Sequence, residues 1–103
     1  MSNMYPTKES QLLSPFEMFV GLIEESTELG GAISKTDIPN VGEELMDVIQ
    51  WCVNIAHYYN INLNKEVIKH QSKLLQRNHK FILPHEEKIQ HIIEGGNKFV
   101  RFR

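Results

Sequence analysis

The stretch 41–59, VGEELMDVIQWCVNIAHYY, decides the fold because it is apolar on two sides of a helix. At helical spacing its apolar residues form two stripes, one of Leu45, Ile49, Cys52, Ala56 and Tyr59 and the other of Val48, Trp51 and Ile55. A helix that is apolar on more than one side is buried on more than one side. A chain of 103 residues has few other helices to cover both faces. We therefore expect a homodimer or homotetramer whose partner subunits complete the core.

Two helix start signals precede this stretch, while strand signals are nearly absent. Ser14-Pro15-Phe16-Glu17 has the pattern of a capping box with proline at the first helical position. It predicts a helix that runs to about Ile33. Asn40, three residues before Glu43, predicts that the next helix spans Val41 to Tyr59.

Two further helices are predicted towards the C-terminus. Asn62 is expected to cap a third helix, Leu63 to about Arg77, with Asn78 in the left-handed conformation after it. A short fourth candidate runs from His85 to Glu94 and ends at a pair of glycines. The predicted fold class is all-α, a helical bundle of about four helices whose core is completed by oligomerisation.

Composition narrows the classes of function. A formal net charge of −2 does not favour a nucleic-acid polymer or a membrane surface as the partner. No apolar run approaches the roughly 20 residues that span a bilayer. The single cysteine, Cys52, cannot form an internal disulfide and is expected to be a small buried apolar residue. These features predict a soluble, cytoplasmic protein.

The chemistry is expected at two acidic pairs, Glu25/Glu28 and Glu44/Asp47. Residues three apart on a helix share one face, so each pair points two carboxylates the same way. If the two helices pack antiparallel, the four carboxylates converge, and like charges this close need a cation between them. Carboxylates and water are the ligands that Mg²⁺ prefers. The sequence therefore predicts a metal site.

Neighbouring residues favour this inward set over the other acids. Glu25 has Leu22 and Leu29 one turn away, and Glu44 is followed on its face by Val48 and Trp51. The pairs Glu24/Glu28 and Glu43/Asp47, at a spacing of four, remain open alternatives. Their surroundings are those of solvated helix faces, because Glu24 aligns with Glu17 and Thr27, and Glu43 aligns with Asn40 and Gln50.

Both acidic motifs resemble those of the MazG-like all-α nucleoside triphosphate pyrophosphohydrolases. The segments 22–29, LIEESTEL, and 42–49, GEELMDVI, are similar to the two metal-binding motifs of that family. The likeness continues through 53–56, VNIA, and 73–77, KLLQR, and covers roughly Phe16 to Phe81. It implies a single MazG-like domain over 1–103, with core helices at 14–81 and a C-terminal extension at 82–103. The family often has a longer leading helix, and residues 1–13 are too short and polar to supply all of it.

This resemblance implies hydrolysis of a nucleoside triphosphate, or its deoxy form, to the monophosphate and pyrophosphate. The metal ligands for Mg²⁺, with Mn²⁺ as an alternative, are Glu25, Glu28, Glu44 and Asp47. Glu25 is also the candidate catalytic residue, since a carboxyl in an apolar setting holds a proton more readily. The candidate substrate-binding residues are Asn54 for sugar or base and Lys73 and Arg77 for pyrophosphate.

Several readings remain open from the sequence. A buried amide that hydrogen-bonds to a neighbouring helix explains Asn54 almost as well as substrate binding does. Solvated charges at a helix end explain Lys73 and Arg77 equally well. Trp51 is expected in the core or an interface rather than as a base-stacking platform. The alternative functions are a phosphoribosyl-ATP pyrophosphatase, or a catalytically idle helical dimer that binds a nucleotide or a protein.

Overall fold

The computed structural model describes residues 4–84. After a short 3₁₀ helix, Glu9–Leu12, come three α-helices: α1 (Pro15–Ser34), α2 (Ile38–Tyr58) and α3 (Leu63–Gln76). No β-strand occurs within residues 4–84, and the all-α class is confirmed. The predicted fourth helix, His85 to Glu94, lies outside the described residues. In this part of the chain, no helix has both the length and the apolar content to cross a bilayer.

Helix α1 begins where the capping box predicts. The backbone N–H of Glu17 donates to Ser14 Oγ at 3.1 Å, and the backbone N–H of Ser14 donates to Glu17 Oε1 at 2.8 Å. Pro15 follows at the first helical position, where a missing N–H leaves no bond unmade. The helix ends at Ser34, within a residue of the prediction.

Helix α2 begins three residues earlier than predicted, so the assignment of Asn40 as its cap is wrong. Asp37 is the cap, and its carboxylate accepts a long hydrogen bond, 3.4 Å, from the backbone N–H of Asn40. Pro39 lies inside the first turn rather than before it. The first turn tolerates proline because its N–H groups have no partner within the helix.

Helix α3 follows the prediction closely. The backbone N–H of Lys65 donates to Asn62 Oδ1 at 3.2 Å, which caps the first turn. The helix ends at Gln76, and Asn78 has the predicted left-handed backbone, with φ of 66°. The described chain divides into two compact units at Lys65, so α1 and α2 belong to the first unit and most of α3 to the second.

At Gly21 the backbone of α1 lies directly against Trp51 of α2. A methyl group built on Gly21 would lie 2.6 Å from Cε2 and Cζ2 of Trp51, so the indole ring lies against the bare backbone of α1. Gly21 is one turn before Glu25, and Trp51 is one turn after Asp47. This contact therefore sets the separation of the two helices next to the predicted site.

Each helix in the first unit keeps an apolar face in contact with solvent. The second stripe of α2 is half-buried, but in its first stripe only Ala56 is fully buried and Leu45, Cys52 and Tyr59 are exposed. The expectation that Cys52 is buried is wrong for the single chain. On α1 the exposed residues at helical spacing are Phe16, Phe19, Val20 and Ile23. Within the described residues of the first unit, α1 is the one α-helix that packs on α2, and Leu45, Cys52 and Tyr59 on the other face of α2 stay exposed.

Candidate metal centre

Packing of α1 against α2 brings the two acidic pairs together. One carboxylate oxygen each from Glu25, Glu28 and Glu44 lies within 4.8 Å of the other two. Glu25 and Glu28 are one turn apart on α1, and Glu44 approaches them from α2. Oxygens this close are the arrangement that a divalent cation can bridge.

Two of these oxygens have no hydrogen-bond partner. Glu25 Oε1 and Glu44 Oε1 are buried, and neither accepts a hydrogen bond from any of residues 4–84. A buried carboxylate oxygen without a partner is strongly unfavourable unless a proton or a cation compensates it. The site therefore needs either a proton on one of these carboxyl groups or a bound cation.

The electrostatics of Glu25 show the same requirement. The pKa of Glu25 is raised from the ordinary 4.5 to about 7, and burial of its carboxyl group is the largest cause. A hydrogen bond that the protonated form shares with Glu44 adds to the rise, as do the negative charges of Glu28, Asp47 and Glu44. Without metal, Glu25 is thus half-protonated near neutral pH.

Asp47 lies beside the three glutamates rather than among them. Asp47 is exposed and is not one of the three residues whose oxygens lie within 4.8 Å of one another. It lines a pocket together with Glu25. Of the alternative acids, Glu24 and Glu43 are both exposed and neither belongs to the three-carboxylate group. The structure thus gathers three of the four predicted ligands tightly and places the fourth at the same pocket.

The pocket next to the carboxylates has a volume of about 390 Å³. Its walls come from α1, α2 and the segment before α1, and its lining residues are Thr7, Glu9, Ser10, Leu13, Glu25, Asp47, Gln50, Trp51 and Asn54. Trp51 is half-buried, so it fills the interface with α1, as expected, and also lines the pocket. Asn54 is only 2% exposed and lines the pocket as well.

The segment 5–12 holds one wall of this pocket in place, which the sequence did not predict. The backbone N–H of Thr7 donates to Asn54 Oδ1 at 3.0 Å, and Gln50 Nε2 donates to the carbonyl oxygen of Tyr5 at 2.8 Å. Gln11 Nε2 donates to the backbone oxygen of Asn54 at 3.0 Å. The signal available in the sequence was Gln50 and Asn54, two amides one turn apart in an otherwise apolar helix.

Comparison with known families agrees with this geometry. A model of the MazG nucleotide pyrophosphohydrolase domain matches residues 14–82, well over half of the 103-residue chain. The chain belongs to the MazG family. Searches of curated proteins and of solved structures returned no significant match. The resemblance of the acidic motifs is therefore confirmed, and MazG membership supports nucleotide pyrophosphohydrolase activity in general.

The residues of this MazG domain fit a hard divalent cation. MazG-like enzymes are typically metal-dependent, and the donors gathered here are carboxylate oxygens, two of them buried and without a partner. No histidine or cysteine belongs to the cluster found among residues 4–84, so its donor chemistry differs from that of a zinc site.

Two predicted residues of the MazG domain belong to the second compact unit. Lys73 is in the last turn of α3 and Arg77 directly follows the helix; both are exposed and belong to the second compact unit. Their role in binding pyrophosphate stays a prediction.

Proposed function

We propose that this MazG domain hydrolyses a nucleoside triphosphate, or its deoxy form, to the monophosphate and pyrophosphate, with Mg²⁺ held by Glu25, Glu28, Glu44 and Asp47. The observation that carries the proposal is the group of three carboxylates within 4.8 Å, which contains two buried oxygens without a partner. Bound Mg²⁺ supplies positive charge for phosphate oxygens and lowers the pKa of water. Mn²⁺, which prefers the same oxygen ligands, is the expected substitute.

The residues of the chain have distinct tasks in this reaction. Glu28, Glu44 and Asp47 would hold the cation and, through it, the phosphates of the substrate. Glu25 belongs both to the carboxylate group and to the pocket lining, so we assign it to orient the attacking water and accept its proton. The water oxygen bonds to phosphorus, the bond between the α-phosphate and the pyrophosphate group breaks, and pyrophosphate leaves with the bonding electrons.

The experiment is a panel of NTPs and dNTPs incubated with Mg²⁺, followed by detection of pyrophosphate. We expect release from at least one substrate in the wild type and none from Glu44→Gln. Including phosphoribosyl-ATP distinguishes the related pyrophosphatase. If no nucleotide yields pyrophosphate although each binds, the idle nucleotide-binding dimer replaces the enzyme.

We also propose that the protein is a homodimer or homotetramer. The exposed stripe of α1 contains Phe16 (71% exposed) and Ile23 (47%), and Leu45 on α2 is 45% exposed. Exposed apolar side chains at helical spacing are of the kind that a second copy of the chain covers. Light scattering at micromolar concentration tests the proposal, and a well-folded monomer would refute it.

The partner we propose is the nucleotide itself rather than a nucleic-acid polymer or a membrane, since the net charge is −2. A cytoplasmic location is proposed because nucleoside triphosphates are found there and because one cysteine allows no internal disulfide.

A further inference from the structure

The amide of Asn54 is held in one orientation inside the pocket. Its Oδ1 accepts hydrogen bonds from the backbone N–H of Thr7 and from Gln50 Nε2, both at 3.0 Å. A backbone N–H can only donate, so the group that faces Thr7 must be the oxygen, and the amide cannot be flipped. The orientation of the Gln50 amide is fixed in the same way, because Nε2 also donates to the carbonyl oxygen of Tyr5, which can only accept.

The nitrogen of the Asn54 amide, Nδ2, donates no hydrogen bond to any of residues 4–84. Asn54 as a whole is only 2% exposed and lines the pocket. Nδ2 is not one of the buried side-chain atoms without a partner, so it keeps some exposure, and an acceptor on a ligand in the pocket would bind it. Since Oδ1 already accepts two hydrogen bonds, Asn54 presents the pocket with a donor and no vacant acceptor.

The position of Asn54 identifies the part of a nucleotide that would meet this donor. It lies seven residues after Asp47 on α2, which is about 10 Å along the helix axis. A nucleotide whose phosphates lie at the carboxylates spans such a length between its phosphates and its base. The donor is therefore at the level of the base.

We propose that the fixed N–H₂ of Asn54, oriented by Thr7 N–H and Gln50, binds a carbonyl group of the base and so selects keto bases over amino bases; this inference rests on the proposed function. An amino group at the same ring position would place a donor against a donor and leave both unpaired. The expected preference is for uracil over cytosine among pyrimidines and for hypoxanthine over adenine among purines. Asn54 is the specificity residue, and Gln50 is a positioning residue.

Binding of nucleoside monophosphates tests this proposal, because the proposed products are not turned over. Calorimetric titration with Mg²⁺ compares UMP with CMP and IMP with AMP. We expect the keto member of at least one pair to bind at least about tenfold more tightly, the factor that one unpaired buried donor produces. Equal affinities within both pairs, or no saturable binding of any of the four, would overturn the proposal.

Asn54→Asp is the decisive variant. The shape of the side chain is kept, and one carboxylate oxygen still accepts from Thr7 and Gln50, but the other now presents an acceptor to the pocket. The preference should reverse towards CMP or AMP. Asn60→Asp adds the same charge at an exposed position just after α2, where φ of 57° suits Asp, and should retain the keto preference. An unchanged preference in Asn54→Asp would refute the proposal.

A second variant keeps the test decisive if Asn54→Asp does not fold. Gln50→Met removes one of the two donors that fix Oδ1, so the keto-to-amino affinity ratio should fall towards one. A purely structural role of Gln50 would lower both affinities and leave their ratio unchanged.

Pyrophosphate release is measured separately. A keto preference without pyrophosphate release supports this inference and rejects the proposed function, and the reverse pattern rejects this inference alone.

Discussion

Gly21→Ala is expected to destabilise the protein where Trp51 of α2 packs against the backbone of α1. The new methyl group would lie 2.6 Å from two ring atoms of Trp51, far inside ordinary contact distance, and the indole is a rigid neighbour. Overpacking of this kind typically destabilises by about 1–3 kcal/mol. Alanine regains about 0.5–1 kcal/mol of helix propensity, so the expected net loss is about 0–2.5 kcal/mol.

Gly30→Ala is the matched control on the same helix. No described atom lies within 4 Å of the methyl group it adds, so only the gain in helix propensity remains. Urea unfolding of the two variants should therefore differ by about 1–3 kcal/mol in free energy of unfolding, with Gly30→Ala the more stable. Because Gly21 is one turn from Glu25, Gly21→Ala should also bind Mn²⁺ less tightly than Gly30→Ala. Equal unfolding free energies for the two variants would refute the account of how α1 and α2 are spaced.

Three further predictions concern the carboxylates and the assembly. Glu44→Gln and Asp47→Asn should each lower turnover at least about a hundredfold with helicity intact, because several kcal/mol of charge stabilisation is lost. Glu24→Gln should lower turnover only slightly. An equal loss of turnover in Glu24→Gln would mean that the wrong face of α1 was chosen. In EDTA, stability should fall as pH rises from about 4.5 through about 7, because the folded protein holds a proton on Glu25 that the unfolded chain releases at lower pH. The loss is at most about 3 kcal/mol, reduced by solvent screening at this half-buried group. Urea unfolding at pH 5 and pH 8 should show it in the wild type and not in Glu25→Gln, and an equal slope in both would contradict it. Ile49→Asp should split the oligomer or unfold the chain, because it places an unpaired charge in an apolar face of α2. If the variant keeps the wild-type mass by light scattering, that face of α2 is not part of the interface.

Local sequence signals predicted the helices well because capping chemistry is local. Ser14 with Glu17, and Asn62 with Lys65, make their hydrogen bonds within three residues, so the pattern of residue types is sufficient. The predicted start of α2 was wrong because Asp37 and Asn40 are both acceptable caps. Since the first turn of a helix tolerates proline, Pro39 did not prevent the helix from beginning after Asp37.

The candidate site was predictable only as far as helix periodicity reaches. A spacing of three placed Glu25 with Glu28 and Glu44 with Asp47, and packing of α1 on α2 then gathered three of the four acids. The docking of segment 5–12 was not predictable, because its hydrogen bonds join residues more than 40 positions apart and run largely through backbone groups. The exposure of Cys52 was missed for a related reason, since periodicity shows that a face is apolar and not whether the same chain covers it.

Mn²⁺ binding tests the central claim most directly, with Trp51 as the reporter. It is the only tryptophan in the chain and lines the same pocket as Glu25 and Asp47, so a paramagnetic ion at the carboxylates should quench its fluorescence. The account predicts saturable quenching, reversed by EDTA, in the wild type and in Glu24→Gln, and its loss in Glu44→Gln. No quenching in the wild type, or equal quenching in all three proteins, would contradict a metal centre built from these carboxylates.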